Sequence, residues 1–257
     1  MPRNNLFDLS GRVALVTGGS KGLGKAMARG FAEAGADVAI SSRTEAELDK
    51  ALTEISADTP GRSMRVVADM TSRDDVQRLA GAVLEEMGRV DILVNNAGTN
   101  VPQTIDEIKD EDWDRVLELN LTSIMALTRA LVPQMKERGW GRIINISSVL
   151  GLGSKRDRSV YSATKRAVIG LAQAASLDLG RYGITVNCIA PGPFLTDLPM
   201  NLLSDEEKKV FAARTALGRW GEPREVAGAA ILLASEAGSY ITGETIVVDG
   251  GVMAHTL

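Results

Sequence analysis

Apolar residues along this chain fall into short unbroken clusters that alternate with longer stretches of helical spacing. VALVT at 13–17 is followed by GLGKAMARGFAEAG, then ADVAIS, then TEAELDKALTEIS. Clusters of five or six β-branched and aliphatic residues have strand length, whereas apolar positions recurring every three or four residues make amphipathic helices. The alternation continues through MRVVAD, a helix predicted from about Arg73 to Met87, DILVNN, one long helix predicted from about Glu111 to Arg138, and RIINISS. A helix through YSATKRAVIGLAQAASLDLG, the strand GITVNCIA, a looser segment from Pro191 to Trp220, a helix from Pro223 and the strand TIVVDG complete the series.

Repeated strand–helix–strand units predict an α/β fold, a Rossmann-type doubly wound sheet of about seven parallel strands with helices on both faces. VALVT and DILVN are continuous rather than alternating in polarity, as expected of central parallel strands covered on both faces. In such sheets ligands bind beyond the carboxyl ends of the strands. Chemistry is therefore expected just after VALVT, VAIS, DILV, RIINI and ITVNCIA.

Composition narrows this picture. With 257 residues, 44% of them hydrophobic, there is material for one large core, and no Pro/Ser/Gly-rich linker divides it, so residues 1–257 are expected to form a single domain. A net charge of -4 argues against a broadly basic nucleic-acid face. No leader-like apolar block opens the chain and no eighteen-residue apolar run occurs, so the expectation is a cytoplasmic protein that binds neither nucleic acid nor membrane. The single cysteine, Cys188, lies in ITVNCIA and is expected to be a buried apolar filler, and with one histidine, His255, no metal site is expected.

The first strand runs into Thr17-Gly18-Gly19-Ser20-Lys21-Gly22-Leu23-Gly24 and then a helix. Glycines allow a tight turn whose N–H groups approach an anion, and the helix N-terminus adds about half a positive charge. Three motifs overlap here. G-x-S-x-G would make Ser20 a hydrolase nucleophile with His255 downstream, but only 19 residues precede Ser20, too few for the strands and oxyanion loop that such an elbow follows. Gly19 to Lys25 fits a nucleoside triphosphate loop except that Ala26 replaces the Ser or Thr that ligates magnesium. The third match is T-G-x-x-x-G-x-G.

That third spacing is joined, in order, by Asn95-Asn96-Ala97-Gly98 after the fourth strand, Asn120, Ser148 after the fifth, and Tyr161-Ser162-Ala163-Thr164-Lys165 opening the next helix. Tyr161 and Lys165, four apart, share a helical face. From Arg12 to Gly251 the chain resembles the short-chain dehydrogenase/reductase family. The resemblance leans toward 3-oxoacyl-carrier-protein reductases and gluconate 5-dehydrogenase-like enzymes, and implies hydride transfer between a nicotinamide cofactor and a ketone or secondary alcohol.

It also implies roles. Tyr161 would be the general acid/base, Lys165 would lower its pKa and hold the nicotinamide ribose, Ser148 would bind the substrate oxygen, and Asn120 would hold a water that relays protons. An ammonium about 4 Å from a phenolate contributes roughly 4 kcal/mol at an effective dielectric of 20, some three pKa units before desolvation opposes it, enough to bring Tyr161 toward neutrality. The dinucleotide is expected along Gly18, Ser20, Lys21, Gly22, Leu23, Gly24, Ser42, Arg43, Asp69, Met70, Asn96, Ala97, Gly98, Tyr161, Lys165, Pro191, Gly192 and Thr196. Where NAD enzymes carry an acidic residue at the end of the second strand stands Ser42, followed by Arg43, and with Lys21 this favours NADP(H) over NAD(H). Lys155, Arg156 and Arg158, in the loop before Tyr161, could attract an anionic substrate. A lid is expected at about 193–220, and the family implies a homo-oligomer, a tetramer. The rival readings are a dinucleotide-binding sensor without catalysis and, less favoured, the Ser20 hydrolase.

Overall fold

A computed structural model of the chain describes residues 5–196, 200 and 203–254. His255 and positions 197–199 and 201–202 of the expected lid lie outside the described residues.

The strands are β1 (Val13–Thr17), β2 (Asp37–Ser42), β3 (Ser63–Val67), β4 (Ile92–Asn95), β5 (Gly141–Ile146), β6 (Ile184–Pro191) and β7 (Thr245–Val248). They form one seven-stranded sheet in the order β3-β2-β1-β4-β5-β6-β7, every pairing parallel, as the alternating pattern requires. The direction of winding reverses between β1 and β4, which places a crevice beyond Thr17 and Asn95. β1 and β4 are buried at every position, in keeping with their continuous apolar sequences.

Helices cover both faces. α1 (Gly22–Glu33) and α2 (Glu45–Ser56) follow the first two strands, and α3 (Arg73–Met87) the third. α3 begins and ends as its sequence dictates: the Ser72 side chain accepts from Asp75 N–H at 3.2 Å, Asp74 and Asp75 favour the positive helix end, and Gly88 closes it in the left-handed region at φ 75°. Two apolar layers result, one built around Leu15, Leu79, Val83, Leu93, Leu127 and Val186, the other around Val16, Met27, Phe31, Ile40, Ile92 and Ile144. Each fully buried side chain of this size stabilises the fold by about 1.5–3 kcal/mol. Cys188 is wholly buried, and burial pushes its thiol up to about 12, as befits an apolar filler.

The single long helix expected from about Glu111 to Arg138 is interrupted. α4 (Asp110–Leu117) and α5 (Ser123–Arg138) are joined by one π turn over Glu118–Thr122. The whole Asp110–Arg138 stretch has the length and apolarity of a membrane span, but α5 turns Ile124, Ala126, Leu127, Leu131 and Met135 into the core against the sheet. A short helix α6 (Val149–Leu152), the long α7 (Ser159–Leu179), a helix α8 (Asp205–Ala213) inside the segment read as loose, and α9 (Ala227–Ala234) follow. The helix expected from Pro223 starts instead as a tight turn, Pro223–Val226, before α9.

Candidate active site

The site forms where β1, β4 and β5 end. After β1 the chain turns through Gly18 and Gly22, both at positive φ (64° and 55°). A Cβ on Gly24 would stand 2.3 Å from the Gly18 carbonyl oxygen, so the turn closes only around glycine. α1 then starts with no side-chain cap and no acidic residue in its first turn, leaving its N–H groups directed at the crevice. This is the cradle expected for a pyrophosphate.

Several predicted contacts are present but serve the scaffold. Asn96 Nδ2 donates to the carbonyls of Thr17 (2.9 Å) and Gly18 (3.2 Å), bracing the glycine turn. The Thr17 hydroxyl accepts from the N–H groups of Asn96 and Ala97 at 3.0 and 3.1 Å. Thr17, the first residue of the glycine motif, is thus a positioning residue, a role that the spacing did not reveal. Asp69 is held by Thr71, whose N–H and hydroxyl donate to it at 2.9 and 2.8 Å, and Met70 beside it is buried. Leu23 is half-buried, while Pro191 ends β6 and Gly192 packs against Asp249. Thr196 lies against the turn, its Cγ2 3.3 Å from where a Cβ of Gly22 would be.

At the end of β2 the Ser42 hydroxyl is buried without a partner among the described residues, and Arg43 is exposed. Lys21 is exposed as well but is paired with Glu47 of α2 at 3.4 Å, and the Ser20 hydroxyl donates to the same carboxylate at 3.2 Å. Glu47 had no signal in the sequence, because the contact spans more than twenty residues. A 2'-phosphate fits this pole: two basic side chains, an idle hydroxyl, and one competing carboxylate.

The four expected catalytic residues converge. The π turn places Asn120 fully inside, where its Oδ1 accepts from Thr99 N–H at 2.8 Å and its Nδ2 donates to the Thr99 carbonyl and to Thr164 Oγ1 at 2.9 and 3.2 Å. Gly98 faces both Asn120 and Lys165: a Cβ there would stand 3.2 Å from Asn120 Oδ1 and 3.4 Å from Lys165 Nζ. Lys165 is buried and donates to the Ile146 carbonyl at 2.7 Å, with its nitrogen 5.7 Å from the centre of the Tyr161 ring. Ser147 fixes this helix on β5 by donating to the Lys165 carbonyl at 2.7 Å. Ser148 caps α6, its oxygen accepting from Leu150 N–H at 3.1 Å, and its hydroxyl favours the ionised form of Tyr161.

Electrostatics correct one expectation. Tyr161 is raised above the ordinary tyrosine value, not brought toward neutrality: burial raises it, and the Ser148 hydrogen bond and the positive charge of Arg158 oppose only part of that. Burial acts on Lys165 too, lowering it from 10.5 to about 8. Lys165 is not among the groups that lower Tyr161, and desolvation prevails. The site holds a protonated phenol beside a buried lysine that titrates near 8.

The remaining candidates sit around the entrance. α8 of the expected lid carries a capping box between Ser204 and Glu207, and its Phe211 ring lies 5.6 Å from that of Trp220 and 4.9 Å from Lys155 Nζ. Arg158 is buried and Arg156 exposed. Among the described residues no cluster of metal-ligating side chains occurs.

Known proteins resemble this chain over nearly its whole length. A family model described as enoyl-(acyl carrier protein) reductase matches residues 18–253. Gluconate 5-dehydrogenase from Gluconobacter oxydans is 38% identical over 253 residues, covering 98% of each chain. The 3-oxoacyl-(acyl-carrier-protein) reductase FabG from Vibrio cholerae is 40% identical over 246 residues, 96% of this chain and 99% of that one. Among solved structures, a gluconate 5-dehydrogenase from Burkholderia cenocepacia in complex with NADP and tartrate superposes with a TM-score of 0.92 at 35% identity, covering 98% of this chain and 99% of that one.

Proposed function

The chain belongs to the short-chain dehydrogenase/reductase family, and from that premise we propose that it transfers hydride between NADP(H) and a ketone or secondary alcohol, with Tyr161 as general acid/base. The observation that carries the reading is the convergence of Asn120, Ser148, Tyr161 and Lys165 beyond the carboxyl ends of β4 and β5. NADP rather than NAD is supported by Lys21 at the start of α1 and by Arg43 just after β2, a strand that no acidic residue closes.

The glycine turn, the N-terminus of α1, Lys21, Ser42 and Arg43 would hold the nucleotide, with Asn96, Ala97, Gly98 and Thr196 flanking it. When bound, the nicotinamide supplies or accepts the hydride. The chain's own residues manage the proton. Ser148 donates to the substrate oxygen and orients it against Tyr161. In reduction the Tyr161 hydroxyl gives its proton to the forming alkoxide, and in oxidation the phenolate takes it from the alcohol. Lys165 is placed to stabilise the phenolate as charge develops. Asn120 fixes Thr99 beside Lys165 and is assigned the water of the relay. The substrate is a 3-oxoacyl thioester or a sugar or keto acid, the classes named by the relatives. A cytoplasmic setting and a homotetramer belong to the same proposal.

A sensor that only binds the dinucleotide has no need of all four residues. The test is oxidation of NADPH and NADH by the purified protein with 3-oxoacyl thioesters, 5-ketogluconate and plain ketones, against Tyr161→Phe. Turnover that prefers NADPH and disappears in the variant supports the proposal. Absence of binding by either dinucleotide overturns it.

A further inference from the structure

Of the three basic residues in the loop between α6 and α7, only Arg158 turns fully inward. It is 8% exposed, whereas Lys155 is half-buried and Arg156 exposed. The backbone directs this: Asp157 takes a φ of 61°, its carbonyl accepts from Gln103 N–H at 3.3 Å, and Arg158 forms a parallel bridge with Gln103. Arg158 caps α7 three residues before Tyr161, so the two lie on one side of the first turn. Its charge acts on the Tyr161 hydroxyl.

A guanidinium brings five N–H donors, and a buried one needs acceptors and a counter-charge. Among the described residues Arg158 has a hydrogen bond to the Asp157 carbonyl at 2.8 Å and no carboxylate within 4.0 Å. The acids whose charge reaches it are Asp157 and Glu207, and the Glu207 carboxylate already accepts from Ser204 N–H at 2.9 Å in the cap of α8. Lys155 lies close enough to be repelled by Arg158. The entrance to the site thus holds two partly desolvated cations that, among the described residues, are paired with no carboxylate.

We propose that Arg158, assisted by Lys155, binds the free carboxylate of a small hydroxy or keto acid whose reacting carbon sits at Ser148 and Tyr161. The inference rests on the hydride-transfer reading and narrows its substrate class. A 3-oxoacyl thioester carries no charge near its ketone, and nothing in it would answer a buried guanidinium beside Tyr161. A planar, always-charged guanidinium matches a carboxylate with two parallel hydrogen bonds, which lysine cannot reproduce.

The experiment compares D-gluconate with D-gluconamide, which differ only in the charged end, as substrates with NADP and as ligands titrated calorimetrically into the enzyme–NADP complex. The wild type should favour gluconate roughly ten- to hundredfold in kcat/KM and in Kd, the range of a hydrogen-bonded charge. Arg158→Gln should bring that ratio near one, and Arg158→Lys should leave it in between. Equal use of both compounds by the wild type would overturn the proposal without needing any variant. So would an Arg158→Gln enzyme that keeps the ratio but shifts the pH profile for both substrates, since Arg158 would then act only through Tyr161. If neither compound turns over, the titration still decides the carboxylate site, while failure of all ketones in the NADPH assay counts separately against the hydride-transfer reading.

Discussion

Glu47 and Lys21 form an ion pair across the mouth of the nucleotide crevice, with a carboxylate oxygen of Glu47 3.4 Å from Lys21 Nζ and its other oxygen accepting from Ser20 at 3.2 Å. Both side chains are about half exposed, 57% and 43%, so the pair contributes no more than about 1 kcal/mol and exchanges readily for another anion. A 2'-phosphate must displace Glu47 to reach Lys21. Glu47→Gln is therefore expected to tighten NADPH binding by roughly two- to fivefold with NADH little changed, and Arg43→Ala to weaken NADPH selectively. Fluorescence titration of both nucleotides at two salt concentrations checks this, and equal gains for NADH would contradict it.

Tyr161 is the group the proposed chemistry cannot replace. Tyr161→Phe keeps the ring but removes the acid, and kcat should fall by about 10²–10⁴-fold while NADPH affinity stays within a factor of about two. A variant with intact turnover would remove the mechanism.

Lys165 makes the fold's stability depend on pH in a calculable direction. In the folded chain it titrates near 8, below its ordinary 10.5. Below pH 8 the native state bears the cost of a buried ammonium. As pH rises above 8 the native lysine sheds its proton while the unfolded one keeps it, so stability rises until the unfolded value is reached. Relative to Lys165→Met, which has no such proton, the wild type should gain about 1–2 kcal/mol in urea unfolding between pH 7.5 and 9.5. A constant difference would mean that Lys165 is solvated.

Asn120→Ala removes hydrogen bonds to the Thr99 backbone and to Thr164 inside the protein. The Thr99 N–H would be left without that partner, at a cost of about 1–3 kcal/mol. Urea unfolding measures the loss, and kcat should drop more than KM changes, because Thr99 follows the Gly98 that faces Lys165.

What could be read beforehand divides along physical lines. The strands were legible because continuous apolar runs such as VALVT have few alternatives to a buried strand, and α3 was legible to the residue because Ser72 and Gly88 mark its ends chemically. The π turn was not, since ELNLT has an ordinary helical pattern and its i+5 bonding leaves no signature in composition. The four catalytic candidates were visible as spacings in the chain. The supporting residues Thr99 and Glu47 were not, and the roles of the motif residues Thr17 and Thr164 were not either, because each is defined by a tertiary contact. Nor could spacing tell that Arg158 would be buried and Arg156 exposed, a choice made by the bridge to Gln103. The raised Tyr161 has the same origin: the spacing shows the lysine and that desolvation opposes it, but the degree of burial that decides between them is set by the tertiary structure.

The π turn also fixes the length of this stretch of chain. An α-helix advances about 100° per residue, so removing one residue from Glu118–Thr122 would let the backbone close into a regular helix and swing α4 about a quarter-turn around α5. Asn120 would leave Thr99, and the strand-end residues would lose their brace at one stroke. A one-residue deletion there acts as a frameshift in three dimensions, so alleles differing in length should survive in the loops at the amino ends of the strands and be eliminated at this turn.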